Sequence, residues 1–131
     1  MRNSKILKAI LFVSGLIAAG IGAAVLFTPE AFYALNGIRL GGDISLLNEI
    51  RAQGGALLAS GLLIMSGAFV ARLTFTAIVL AALFYLAYGL SRIMSMIVDG
   101  MPANGLTQAT VLEIVIGLAC AFALTRFRRL V

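Results

Sequence analysis

Four ionisable residues stand inside or at the edge of otherwise apolar sequence: Glu49, Arg51, Arg92 and Glu113. A charged side chain at mid-bilayer costs about 2.5–3.5 kcal/mol even on a lenient insertion scale, so such residues need partners or a purpose. Two carboxylates and two guanidinium groups can serve either end. They can close into a network that fixes which helices pair, or they can form a site. In a site, guanidinium groups grip a carboxylate or phosphate while a carboxylate handles a proton.

Spacing on a helix says which side chains share a face. Tyr85, Tyr88, Arg92, Ser95 and Asp99 follow one another in steps of three and four, a single polar stripe. Thr110, Glu113, Gly117 and Cys120 form a second stripe, and Glu49, Gln53, Ala56 and Ser60 a third. The three stripes are expected to meet at the axis of a bundle. Glu49 and Arg51 are two residues apart and point to different sides, so they should not pair. The expected arrangement bridges Arg92 with Glu113 and Glu49. Arg51 then reaches Glu113 or snorkels to the outer headgroups. Tyr85 and Tyr88 supply hydroxyls and ring faces beneath. The candidate ligand-binding set is therefore Glu49, Arg51, Tyr85, Tyr88, Arg92 and Glu113.

Other chemistries lack their parts. Histidine is absent and Cys120 is the single cysteine, which removes zinc sites, haem ligation by histidine, thiol–disulfide relays and Ser-His-Asp catalysis. Cys120 lies among Ala, Leu and Phe and reads as a small packing residue. No nucleophile–base pair accompanies the carboxylates, so no catalytic residue, metal or cofactor is assigned, and the expectation is a non-enzymatic protein. The net charge of +5 comes from cations at helix ends, without the basic stripe that nucleic acid requires.

The elements that must carry these residues are membrane helices. Of 131 residues, 62% are hydrophobic and 11% charged, against about a quarter charged in soluble domains. A soluble fold this small could not bury that much apolar surface. Four apolar runs approach the spanning length of about 20 residues, at 6–27, 52–71, 73–98 and 106–124. They form one membrane domain covering 1–131, an all-α integral membrane four-helix bundle. Orientation follows the cation bias. Arg2, Lys5, Lys8, Arg72, Arg126, Arg128 and Arg129 fall on one side, and Glu30, Asp43 and Asp99 on the other with only Arg39. Both termini are expected to be cytoplasmic, in a bacterial inner membrane. A basic start before an apolar run has the layout of a signal peptide, yet this run exceeds the usual h-region of about 7–15 residues. The first helix is expected to be retained. Arg92 and Glu113 each sit seven residues inside the outer ends of their runs, roughly 10 Å deep at 1.5 Å per residue.

The loops carry their own signals. Thr28-Pro29 reads as an N-cap with Pro at the first helical position, and Asn36-Gly37 as a stop. Phe32, Tyr33 and Leu35 give this short helix an apolar side, which should lie on the outer interface. Gly41-Gly42 breaks the chain, Asp43 or Ser45 caps the next helix, and a tight turn around Arg72 joins the second and third spans. Asp99-Gly100-Met101-Pro102 is a further turn. Small residues recur at four-residue spacing (Ser14, Ala18, Gly22; Gly15, Ala19, Ala23; Ala52, Ala56, Ser60), which lets helix backbones approach within one bundle or in a homo-oligomer.

The segment Phe27-Thr28-Pro29-Glu30-Ala31-Phe32, followed by Asn48-Glu49-Ile50-Arg51-Ala52-Gln53-Gly54-Gly55, resembles a bacterial family of small four-helix membrane proteins. That family is known as a domain of unknown function. Tyr88-Gly89-x-x-Arg92 and Glu113-x-x-x-Gly117 fit the same group. The resemblance covers nearly the whole chain; it implies a four-helix integral membrane fold and brings no activity with it. A looser likeness to DoxX-like four-helix proteins lies in size and layout alone.

Two function classes stay open. One is a ligand-binding or accessory membrane subunit that holds an anionic or amphiphilic small molecule at the charged layer, with Arg92 and Arg51 on its head group. The other is an oligomeric proton-coupled transporter in which Glu113 alternates between proton and substrate. Arg92 as a neutralising partner and the absence of inverted repeats weigh against the second.

Overall fold

A computed structural model describes residues 4–130 of the chain. Its α-helices are α1 (Ser4–Phe27), α2 (Pro29–Ala34), α3 (Ile44–Ser66), α4 (Thr74–Asp99) and α5 (Asn104–Leu130), with a single 3₁₀ turn at Ala71–Leu73 before α4. There is no strand among the described residues. Three stretches, Lys5–Phe27, Ala71–Asp99 and Asn104–Phe127, are long and apolar enough to cross a membrane. Large side chains such as Leu16, Leu83, Leu90, Ile97, Val115 and Phe122 stay exposed on the outside of these helices. Soluble monomers rarely expose so continuous an apolar surface.

The run expected at 52–71 is not one helix. Helix α3 begins eight residues earlier, at Ile44, and ends at Ser66. Asp43 caps it, its carboxylate accepting from the Ser45 and Leu46 amides at 3.0 and 3.3 Å. The chain then turns at Gly67, whose carbonyl accepts from the Thr74 hydroxyl at 2.8 Å. The charge-free part of α3, from Ala52 to Ser66, falls short of the roughly 20 residues a span needs. Asn48, Glu49, Arg51 and Gln53 occupy the helix before and just inside it.

Helices α1 and α3 pack antiparallel at backbone distance. A Cβ built on Gly15 would lie 2.7 Å from the Gly61 carbonyl oxygen, and one on Gly22 would lie 2.8 Å from that of Gly54. Glycines thus face glycines at two levels, seven residues apart on each helix. Ser14, Gly15, Ala18, Ala19 and Gly22 are buried, as the small-residue stripes of the first helix require. On α3 the contact stripe is Ile50, Gly54, Leu57, Gly61 and Ile64. The expected stripe through Ala52 and Ala56 is exposed instead. Glycine allows a closer approach than alanine, and the extra van der Waals contact selects the glycine face.

Helices α4 and α5 form the second close pair, with Ile114 of α5 over Gly89 and Leu86 of α4 over Gly117. At the end where α1 begins, labelled inner after the orientation expected from the charges, the pairs merge in one core, where Leu7, Leu11, Ile64, Ala77, Ile78, Ala81, Cys120 and Ala123 are buried together. At the outer end Val25, Leu40 and Ile50 form a smaller cluster against which Phe32, Tyr33, Ile38 and Leu47 pack. That cluster seats α2 on top of α1 and α3.

The outer loop shows why α2 is held there. Thr28 stands at its N-cap and Pro29 in its first turn, but the Thr28 hydroxyl turns back and donates to Ala24 O at 3.0 Å. Gly37 stops the segment with a φ of +73°, a conformation that costs glycine little. Phe32 and Tyr33 pack against the protein, whereas Leu35 is 81% exposed, so the three do not share one buried side. Arg2, and the side chains of Arg128 and Arg129, lie outside the described residues.

Candidate functional site

Between the two helix pairs, beneath α2, lies a cavity of about 590 Å³. Such volumes suit small ligands, whose pockets span about 300–1,000 Å³. Its apolar lining is made by Ile17, Ala18, Ile21 and Val25 of α1, Leu57 of α3, Phe84 of α4 and Leu112 of α5. Its polar end gathers Tyr33, Asn36, Gln53, Tyr88, Ser91, Arg92, Ser95 and Glu113.

The polar end is built on an ion pair. Arg92 Nε donates to Glu113 Oε1 at 2.8 Å, joining α4 to α5. The pair is half-sheltered, with side chains 31% and 14% exposed. It uses one edge of the guanidinium. A guanidinium carries five N–H donors in a plane, and among the described residues the two terminal nitrogens of Arg92 have no hydrogen-bond partner. The Arg92 Cζ lies 5.8 Å from the centre of the Tyr88 ring, a distance at which the ring face attracts a cation. The Tyr88 hydroxyl accepts from Gln53 Nε2 at 2.8 Å, which ties α4 to α3 and leaves the phenolic proton free to donate.

Tyr33 reaches this end from α2. Its hydroxyl is held above the usual tyrosine range, first by burial and then by neighbouring Tyr88, while the Arg92 cation opposes the shift. The group is therefore a neutral donor at physiological pH.

The six residues singled out from sequence are thus divided. Tyr85, Tyr88, Arg92 and Glu113 line the cavity together. Arg92 and Glu113 form the expected pair, and Tyr88 lies under it. Tyr85 is buried and its hydroxyl donates to the Ser14 carbonyl, so it braces α4 against α1 rather than offering a free hydroxyl. Glu49 and Arg51 are not part of the cavity wall. Glu49 is exposed, one turn beyond Gln53 on α3, and does not bridge Arg92. Arg51 donates to the Leu26 carbonyl at the end of α1. Both miss because the glycine contact sets the rotation of α3, placing these residues on opposite flanks of its buried stripe.

Tyr33 and Asn36 were not foreseen as site residues. The available signal was the single aromatic with a hydroxyl in the outer loop, together with a stop at Gly37 that folds Asn36 back over the bundle. Asn36 meets Gly105 at the start of α5. Among the described residues no group of three or more acidic, cysteine or histidine side chains is placed to hold a metal ion.

These features define a class: an all-α protein with three helices able to cross a membrane and a cavity that joins an apolar lining to a hydrogen-bonding end. The chain belongs to the family described as a domain of unknown function (DUF4345), which matches residues 6–124. Neither a curated protein nor a solved structure matches the chain.

Proposed function

We propose that this is a non-enzymatic four-helix protein of a bacterial inner membrane that binds a small amphiphile bearing an anionic group. In this reading α1, α3, α4 and α5 all lie in the bilayer, both termini are cytoplasmic, and α2 rests on the outer interface. The single observation that carries the reading is the half-used guanidinium of Arg92. Its Nε is committed to Glu113 while its outer nitrogens border a cavity of about 590 Å³. A carboxylate or phosphate oxygen there would meet two guanidinium N–H groups, with Tyr88 and Tyr33 as further donors, and charge-assisted bonds of that kind are the strong ones. The apolar lining takes the rest of the molecule. The ion pair leaves the site neutral before the ligand enters, which limits the cost of holding Arg92 in the bundle.

The test is a melting experiment in dodecyl maltoside with added dodecyl phosphate. A ligand that binds the folded state alone stabilises it by about 2.7 kcal/mol at one hundred times its Kd. Wild type is expected to melt later with dodecyl phosphate and to respond far less to dodecanol. Arg92→Gln should lose that preference. Equal shifts with both additives in both proteins would remove the anion-binding reading.

A further inference from the structure

We propose that the cavity opens sideways, between α1 and α5, and admits a bilayer lipid whose chain passes through this window while its phosphate rests at Arg92. This rests on the binding reading above and adds the ligand's source and route.

The seam between α1 and α5 is held by contacts at both ends, with a separate groove of about 150 Å³ beside the inner one, and the main cavity borders it in between. At the inner end Leu7 and Leu11 of α1 are buried with Cys120 and Ala123 of α5. At the outer end Asn36, just past α2, touches Gly105 of α5. Between these contacts Ile17 and Ile21 of α1 and Ala109 and Leu112 of α5 all border the cavity. Ile21 and Leu112 are also 39% and 44% exposed. Apolar side chains on both helices thus keep accessible surface where this seam borders the cavity. Among the described residues the other exposed side chains that line the cavity are polar, Gln53 of α3 and Ser91 and Ser95 of α4. Glycine contacts close α1 against α3 and α4 against α5, and the Gln53–Tyr88 hydrogen bond clasps α3 to α4.

The occupant follows from what surrounds the window. Val111, Val115 and Leu118 continue its apolar surface along α5, so a chain leaving the cavity there enters hydrocarbon rather than water. Arg92 stands seven residues before the end of α4 at Asp99, roughly 10 Å at 1.5 Å per residue, so the phosphate descends that far along the polar end of the cavity to reach it. A lipid can therefore keep its chain in an apolar medium throughout and bring its phosphate to the free nitrogens of Arg92.

The chain contains no tryptophan, and its three tyrosines, Tyr33, Tyr85 and Tyr88, all border the cavity. Tyrosine emission is therefore a reporter of cavity contents. Nanodiscs containing phosphatidylglycerol with brominated chains should quench wild type at least twofold more than Ala109→Phe or Ile21→Phe, which narrow the window from either side. Leu112→Ala, which widens it, should quench at least as strongly as wild type. Glycerol phosphate added in water should leave the quenching in place. Equal quenching in wild type and in both narrowed variants, each melting normally, would overturn the proposal. So would displacement by glycerol phosphate, because the head group would then arrive from water. If the narrowed variants quench as wild type does and keep the Arg92-dependent response to dodecyl phosphate, binding stands and the sideways route alone falls.

Discussion

Alanine in place of Gly22 or Gly61 is expected to lower stability by about 1–3 kcal/mol, the usual cost of forcing atoms into a packed contact, and leucine at either position to abolish folding. The cause is local. A Cβ on Gly61 would lie 2.7 Å from the Gly15 carbonyl oxygen and closer still to the Ala19 amide nitrogen, atoms of backbone that cannot swing aside. Relief requires α1 and α3 to separate along their whole length. That loosens Gln53 from Tyr88 and lowers α2 from its seat on Val25, Leu40 and Ile50. Gly20→Ala and Gly55→Ala are the matched controls, because nothing stands within 4 Å of a Cβ at either. Each should be neutral or gain up to about 1 kcal/mol, as alanine favours helix over glycine. Thermal or SDS unfolding of the four variants reads the difference directly, and equal stabilities would contradict the close contact.

The second large effect concerns the ion pair. Arg92→Ala leaves the Glu113 carboxylate sheltered without its partner, and Glu113→Leu does the same to Arg92. Each should cost about 2–3 kcal/mol, at the low end for stranded charges because Arg92 is partly exposed. Removing both charges together, as Arg92→Met with Glu113→Leu, should recover most of that loss, since neither charge is left alone. A double variant as unstable as the sum of the singles would mean that the two residues act through separate contacts. The recovery matters beyond stability, because it yields a folded bundle without its charged end.

How far these features could be read from the chain depended on whether a local rule or a contact between helices decided them. The pairing of Arg92 with Glu113 follows from helical spacing and matching depth, and both side chains have no better partner at that level. The stripe from Tyr85 through Tyr88 to Arg92 faces inward for the same reason. The Asp43 cap and the stop at Gly37 are rules of a few residues and were equally legible. The place of Glu49 and Arg51 was not, because the rotation of α3 is set by where Gly54 and Gly61 meet α1. Sequence spacing offered a stripe through Ala52 and Ala56 that looks as suitable and differs only by a methyl group per residue. The end of α3 at Ser66 was hidden by apolar residues that continue through the turn to Ala71. Tyr33 and Asn36 enter the cavity because the loop folds over the bundle, and no periodicity within a helix of six residues reports that.

The central claim is that the charged end of the cavity holds an anionic amphiphile. Native mass spectrometry from lipid nanodiscs, comparing wild type with the Arg92→Met/Glu113→Leu double variant, tests it most directly. The account predicts a discrete anionic adduct on wild type that is absent from a double variant of near-normal stability. The same adduct at the same occupancy on both proteins would contradict it, and would reduce the Arg92–Glu113 pair to a fastening between α4 and α5.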